Sequence, residues 1–297
     1  MSRPACTRDR PRMMYVTYAR AGFTEAGCGG DHVVLEADPA RLPHGGGAVT
    51  TAAATRAWLP LGEAAPDRPR LFCYPNAGAG AAAFAPWRDL ALPGVAICPL
   101  QPPGRAERYR HKPHTRLDTL LDDLMESLDG QFEGTYALYG HSLGALVVHE
   151  LARRLRAEGA TEPVHLFVSG RAAPHLPDVR PTLYALPTPE LVPHLREIGG
   201  TPESVLGEPD LLDVFLPTLR ADFEVNETYR YVPEAALTTP LTVFGATHDP
   251  RADEHELRAW SGLTEAEFRL RIFDGGHFFV TPHAQALVTE MTGALRT

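Results

Sequence analysis

The chain has 297 residues, 44% hydrophobic and 22% charged, which allows a sizeable core and excludes wholesale disorder. No run approaches the roughly 18 uninterrupted apolar residues of a membrane span, and the basic segment Met1–Arg12 lacks the apolar stretch and cleavage site of a secretory signal. A net charge of -9 argues against nucleic acid as the partner.

Residues 1–48 show no sustained period of 2 or 3.6, and are punctuated by Gly27-Cys28-Gly29-Gly30 and Gly45-Gly46-Gly47. They read as a disordered extension, or as a misassigned start upstream of a true beginning at Val49, and residues 49–297 as the folded domain. From Arg70 the pattern is regular. Buried-strand signals recur at Leu71 to Tyr74, Val95 to Cys98, Tyr136 to Tyr139, His165 to Val168, Leu241 to Phe244 and Phe268 to Phe273. Helical spacing lies between several of them: the stripe Leu117, Leu120, Leu121, Leu124 and Leu128, a helix opening after Ser142, and a last one over Ala284 to Leu295. Strands alternating with helices predict an α/β fold with a mostly parallel sheet covered on both faces. The stretch from about 171 to 233 breaks the rhythm, with helical segments near Pro189 to Glu197 and Glu208 to Thr228. Its size and place predict a helical lid over the carboxyl ends of the strands, with apolar faces that form an acyl pocket. The four cysteines show no metal spacing, and Cys73 and Cys98 read as buried thiols of a cytoplasmic protein.

Gly140-His141-Ser142-Leu143-Gly144 is a G-x-S-x-G pentapeptide between a predicted strand and a predicted helix. That context suits a sharp turn holding a nucleophilic Ser142 proud of the sheet, with glycines where a Cβ would collide. Alone, the same residues also suit a helix N-cap. A serine nucleophile needs a base, and His277 in Asp274-Gly275-Gly276-His277 follows the last predicted strand. His248, His255 and His283 are its rivals, whereas His149 and His165 read as structural. The acid that orients the base falls between Ser142 and His277 in chain order. Asp249 is the candidate, on a short loop after Leu241 to Phe244 and stiffened by Pro250. Asp178, Asp210, Asp213 and Asp222 lie in the predicted lid, Asp253 suits a cap, and Asp274 suits the Gly-Gly turn. An oxyanion hole needs two converging N–H groups. Leu143 offers one, and Ala77 in Pro75-Asn76-Ala77-Gly78-Ala79-Gly80 offers the other.

These residues sit in six ordered blocks: Leu71-Phe72-Cys73-Tyr74-Pro75-Asn76-Ala77-Gly78, Gln101-Pro102-Pro103-Gly104-Arg105, Gly140-His141-Ser142-Leu143-Gly144-Ala145-Leu146, Leu166-Phe167-Val168-Ser169-Gly170-Arg171, Leu219-Arg220-Ala221-Asp222-Phe223 and Gly275-Gly276-His277-Phe278-Phe279. From about Arg70 to the end, the chain resembles the type II (editing) thioesterases of polyketide and nonribosomal peptide synthesis, within the α/β-hydrolase superfamily. The resemblance departs at Asn76, where the family has His, and at Pro102, where it has Leu. It implies hydrolysis of acyl groups from the phosphopantetheine arm of acyl- or peptidyl-carrier proteins, clearing stalled or misprimed units. It implies a cytoplasmic monomer that needs no metal or cofactor. An esterase or lipase for small-molecule esters, and a catalytically dead binding protein on the same fold, are the alternatives. Arg105, Arg108, Arg110, Lys112 and Arg116, with Glu107 the only acid among them, predict a basic surface that steers an acidic carrier protein.

Overall fold

Strand-forming runs buried on both faces require helices above and below them, and the chain supplies both. The computed structural model describes residues 23–29, 32–37, 51–62 and 67–296. Six strands form one sheet: β3 (Arg70–Tyr74), β4 (Ala96–Pro99), β5 (Tyr136–His141), β6 (His165–Ser169), β7 (Leu241–Ala246) and β8 (Phe268–Phe273). Their order is β4-β3-β5-β6-β7-β8, and every neighbouring pair is parallel. Alternation along the strands divides the core. Phe72, Tyr74, Leu138, Val168 and Val243 face α3 (Leu117–Ser127) and α4 (Leu143–Ala157), and Leu71, Cys73, Tyr139, Phe167 and Phe244 pack with α9 (Ala284–Ala294). Cys73 and Cys98 are buried. No helix among the described residues is long and apolar enough to cross a membrane.

The region from 171 to 233 carries α5 (Thr188–Ile198), the short α6 (Glu203–Leu206) and α7 (Pro209–Thr228). Its leucines make a separate cluster, with Leu183, Leu191, Leu195, Leu206, Leu212, Leu216 and Leu219 buried against one another.

Besides the short α2 (Trp87–Leu90), a helix and a ribbon have no counterpart in the sequence reading. One is α1 (Thr51–Trp58), whose Trp58 is fully buried in the main core. The other is an antiparallel ribbon of β1 (Phe23–Gly29) and β2 (His32–Ala37), with Gly29 opposite His32 and an irregularity between Glu25 and Gly27. The glycines and the break in register hide its period of two from a sequence scan. The remainder of the extension expected over residues 1–48 lies outside the described residues.

The basic run between 105 and 116 corrects an expectation. Arg108 turns inward: it donates to Gln101 O at 3.1 Å and to Asp123 at 3.2 Å, with its guanidinium 4.7 Å from the centre of the Trp58 ring. Arg105 pairs with Asp222. Both are consumed inside the protein, because the buried carboxylate of Asp222 and the half-buried one of Asp123 demand partners. They leave Arg110, Lys112 and Arg116 as the exposed cations of the run.

Candidate active site

Parallel strands bring their carboxyl ends to one edge, so the loops that follow β3, β5, β6, β7 and β8 share that edge. The central loop is the turn after β5. Ser142 adopts φ 56° and ψ -112°, a strained conformation for a residue with a side chain, between strand β5 and helix α4. Its amide N–H donates to Ser169 O at 2.8 Å, carrying the β5–β6 ladder one residue past the strand. The turn is tight enough to demand both flanking glycines. A Cβ on Gly140 would lie 2.0 Å from Gly144 O, and one on Gly144 would lie 2.3 Å from Tyr74 O. Although Ser142 precedes α4, its hydroxyl caps no helix N–H, which removes the N-cap explanation of the pentapeptide.

The loops after β7 and β8 are tied together by Thr247 N–H donating to Phe273 O at 3.0 Å and by His248 N–H donating to Gly275 O at 2.9 Å. They bring Asp249 and His277, 28 residues apart, into contact: His277 Nδ1 lies 2.9 and 3.0 Å from the two carboxylate oxygens. Both side chains are buried. Asp249 Oδ1 also accepts from Arg251 N–H at 2.8 Å, which fixes the carboxylate. With Nδ1–H donating to Asp249, the imidazole keeps its Nε2 lone pair for other work. Ser142 and His277 line one cleft of about 960 Å³, together with Asn76, Ala77 and Leu143.

The rival residues are occupied elsewhere. Asp253 caps α8 (Glu254–Arg258) in a reciprocal box with Glu256. Asp274 accepts from Thr247 Oγ1 at 3.1 Å, and His283 Nε2 lies 2.9 Å from Asp274 O. His248, exposed, lies 2.8 Å from Thr247 Oγ1, and His255 sits on α8. The structural reading of His149 and His165 fits their partners, Glu150 at 2.9 Å and Thr242 at 2.9 Å.

His141, beside the nucleophile, is fully enclosed, with its ring 4.9 Å from that of His277. Burial, and then the charge His277 can carry, push its pKa well below the usual histidine value. It is therefore a neutral neighbour, bonded through Nδ1 to Ser169 Oγ at 2.9 Å, and adds no positive charge beside the base.

Two residues that the sequence reading left out of the site hold its opposite wall. Asp222, on α7 and buried, accepts from Gly78 N–H at 2.7 Å. Arg105 grips the same carboxylate with two bonds of 2.6 and 2.8 Å and donates to Ala79 O at 2.9 Å. The loop that carries Ala77 is thus clamped to α7 by a bidentate ion pair. Asn76 donates its amide to Ala77 O at 3.0 Å, on the same loop. Among the described residues, no group of three His, Cys, Asp or Glu side chains has the geometry to hold a metal.

Comparison with known proteins gives this arrangement a lineage. A family profile described as "Thioesterase domain" matches residues 69–295. The chain belongs to the thioesterase family. The gramicidin S biosynthesis protein GrsT of Aneurinibacillus migulanus is 37% identical over 227 residues, which cover 76% of this chain and 89% of the relative. Thioesterase PikA5 of Streptomyces venezuelae is 33% identical over 76% of this chain and 80% of its own length. Among solved structures, the type II thioesterase BorB from the borrelidin biosynthetic cluster has a TM-score of 0.72 at 36% identity, covering 78% of this chain and 95% of BorB. RedJ, from the prodiginine pathway of Streptomyces coelicolor, has a TM-score of 0.72 at 35% identity, covering 80% and 98%. This thioesterase has the α/β-hydrolase architecture of those structures, and its six-stranded sheet carries the Ser142 turn at the centre of its working edge.

Proposed function

We propose that this thioesterase is a type II editing enzyme, a serine hydrolase that removes acyl groups from the phosphopantetheine arm of acyl- or peptidyl-carrier proteins in polyketide or nonribosomal peptide synthesis. In this reading, residues 49–297 are the catalytic unit and the 171–233 region is its lid. The observation that carries it is the buried Asp249–His277 pair on the same edge as the strained Ser142 turn, with His277 and Ser142 lining one cleft, in a chain whose relatives include PikA5 and BorB.

The chemistry follows from the residues. His277 Nε2 takes the proton of Ser142 Oγ as the oxygen attacks the thioester carbonyl. Asp249 holds the ring by Nδ1 and stabilises the imidazolium that forms. The N–H groups of Leu143 and Ala77 receive the oxyanion. Collapse of the tetrahedral intermediate expels the thiolate, which takes a proton from the imidazolium and departs as the carrier-bound thiol. Water, deprotonated by His277, then attacks the acyl-serine and frees the acid. Apolar walls from α7, among them Phe215, Leu219 and Phe223, shield the acyl-enzyme from bulk water.

The test is hydrolysis of acyl-loaded carrier protein beside p-nitrophenyl esters of the same acyl group. Carrier-protein turnover should dominate, and Ser142→Ala should abolish both. Preferential turnover of the simple esters would favour an esterase. Full activity of Ser142→Ala would remove the serine mechanism.

A further inference from the structure

His141 is a costly residue for its place. Its side chain is only 1% exposed, and its Nε2 is buried without a hydrogen-bond partner. A Leu or Phe would fill such a space with no polar atom to strip of water. The mechanism gives His141 no proton to carry and no contact with substrate. What it has is an attachment to the sheet on one side and the proposed base on the other.

The attachment follows from register. His141 ends β5 opposite Ser169 of β6, so their side chains share a face of the sheet, and Tyr139, two residues back, shares it too. Ser169 Oγ lies 2.9 Å from His141 Nδ1 and 2.9 Å from the Tyr139 hydroxyl, and its own proton goes to Gly140 O at 3.3 Å. Both neighbours therefore donate to the serine oxygen, which puts the imidazole proton on Nδ1 and leaves only a lone pair at Nε2. On its other side the ring meets His277, with 4.9 Å between ring centres and 38° between planes. Phe278 stands edge-on to both rings, 5.1 Å from His277 and 5.8 Å from His141. Gly170 closes over the pair: a Cβ there would lie 2.6 Å from His141 Cε1 and 3.3 Å from His277 Cε1. Asp249 alone does not fix the angle of the His277 ring, because both carboxylate oxygens lie within reach of Nδ1 and the bond can pass from one to the other as the ring tilts. A solid surface against the face of the ring removes that freedom.

We propose that His141 is a positioning residue: tethered through Nδ1 to Ser169, its ring is the fixed surface that holds the His277 imidazole in line with Ser142 Oγ. This rests on the reading of Ser142 and His277 as nucleophile and base. The surface has to be uncharged, since His277 becomes a cation in each turnover. Burial, and then the charge of His277, push the His141 pKa well below the usual histidine value, so the ring meets that demand.

The experiment follows turnover of propionyl-N-acetylcysteamine by the wild type, His141→Phe, Ser169→Ala and the double variant. Phe keeps a ring but has no Nδ1 to tether. Ala at 169 removes the tether and keeps the carbonyl that receives Ser142 N–H. Each single variant should lower kcat by about tenfold or more, with KM within about twofold of the wild type. The double variant should be no worse than the weaker single, because both changes cut one tether. Wild-type kcat in either single variant, or losses that multiply in the double, overturns the proposal. The low-field proton resonance of His277 Nδ1–H reads the same contact without turnover. It should broaden or vanish in each variant as the tilting ring lets that proton exchange with water; an unchanged resonance overturns the proposal, whatever the melting temperature does. Failure of the serine-hydrolase reading looks different: a fluorophosphonate would then leave Ser142 of the wild type unlabelled, whereas failure of the tether alone leaves Ser142 labelled at the same rate in all four proteins.

Discussion

At the residue scale, the carboxylates separate by what they touch. Asp249 contacts the imidazole of His277 and Asp222 contacts the loop that carries Ala77, so their removal should have different signatures. Asp249→Asn should preserve folding and lower kcat by about 10⁴, since an amide favours the wrong imidazole tautomer; steady-state kinetics with acyl-carrier substrate measure it, and near-wild-type turnover would reassign the acid. Asp222→Asn keeps an acceptor for Gly78 N–H but strands the guanidinium of Arg105. We expect kcat to fall by about tenfold to a hundredfold with KM little changed, less than the loss of a whole oxyanion donor. A purely structural role would instead lower the melting temperature and leave kcat per folded molecule intact. Chain order and loop length made Asp249 and His277 legible as partners before any coordinates. Asp222 was not legible in that way. Its helical setting suggested structure alone, and nothing local reveals that residue 222 reaches back to residues 78 and 105.

At the element scale, strands with long apolar runs and helices with clear stripes were readable because burial imposes their period. α1 and the basic run after residue 104 were misjudged for different reasons. The eight residues of α1, Thr-Ala-Ala-Ala-Thr-Arg-Ala-Trp, are too few to show a period of 3.6 in a sequence scan, and only the core explains why Trp58 is enclosed. The run from Arg105 to Arg116 read as surface because it is basic, yet a distant acid turns Arg108 inward. That acid, Asp123 on α3, receives Trp58 Nε1, Arg108, His114 and Ser127 at 3.4, 3.2, 3.1 and 3.0 Å, and so ties α1 and the 101–116 loop to α3. Burial alone would raise its pKa, but the bonds from His114, Arg108, Ser127 and Trp58 prevail and hold it well below the usual carboxylate range. Asp123→Asn should therefore cost about 1–3 kcal/mol at neutral pH, by urea denaturation. A depressed folded-state pKa contributes stability that is present above the unfolded value and is lost as acid protonates the folded carboxylate. The gap between wild type and variant should accordingly narrow below about pH 4; a gap independent of pH would mean that the charge is not what matters.

At the scale of the whole molecule, the parallel order β4-β3-β5-β6-β7-β8 decides where the chemistry sits, since it puts the loops of Ser142, Asp249 and His277 on one edge. Dense packing of that sheet and its helices has a second consequence, in histidines that have no room for charge. His165 stacks on Phe167 at 4.1 Å, and its Nε2 lies 2.9 Å from Thr242 Oγ1. Burial, and secondarily the charge of Arg269, lower its pKa to about 4. His141 and His149 are also lowered, each mainly by burial. A folded-state pKa below the unfolded one means that protons bind the unfolded chain more readily. Stability from these groups is complete above about pH 6.5 and declines on acidification, at up to about 1.4 kcal/mol per pH unit for each group. For His165 the decline continues to about pH 4. Urea denaturation at pH 7.5, 6.5 and 5.5 should show the unfolding free energy falling across this range, well above the acid region in which Asp123 titrates. His165→Gln, which keeps a polar group near Thr242 and cannot take a proton, should have a shallower slope by up to one group's share. The residue is the first of β6, away from the loops that carry Ser142, Asp249 and His277, so turnover at pH 7.5 serves as a check that the fold is retained. A slope equal to that of the wild type would mean that His165 is hydrated enough to titrate normally, and that the acid sensitivity of the molecule lies with His141 and His149.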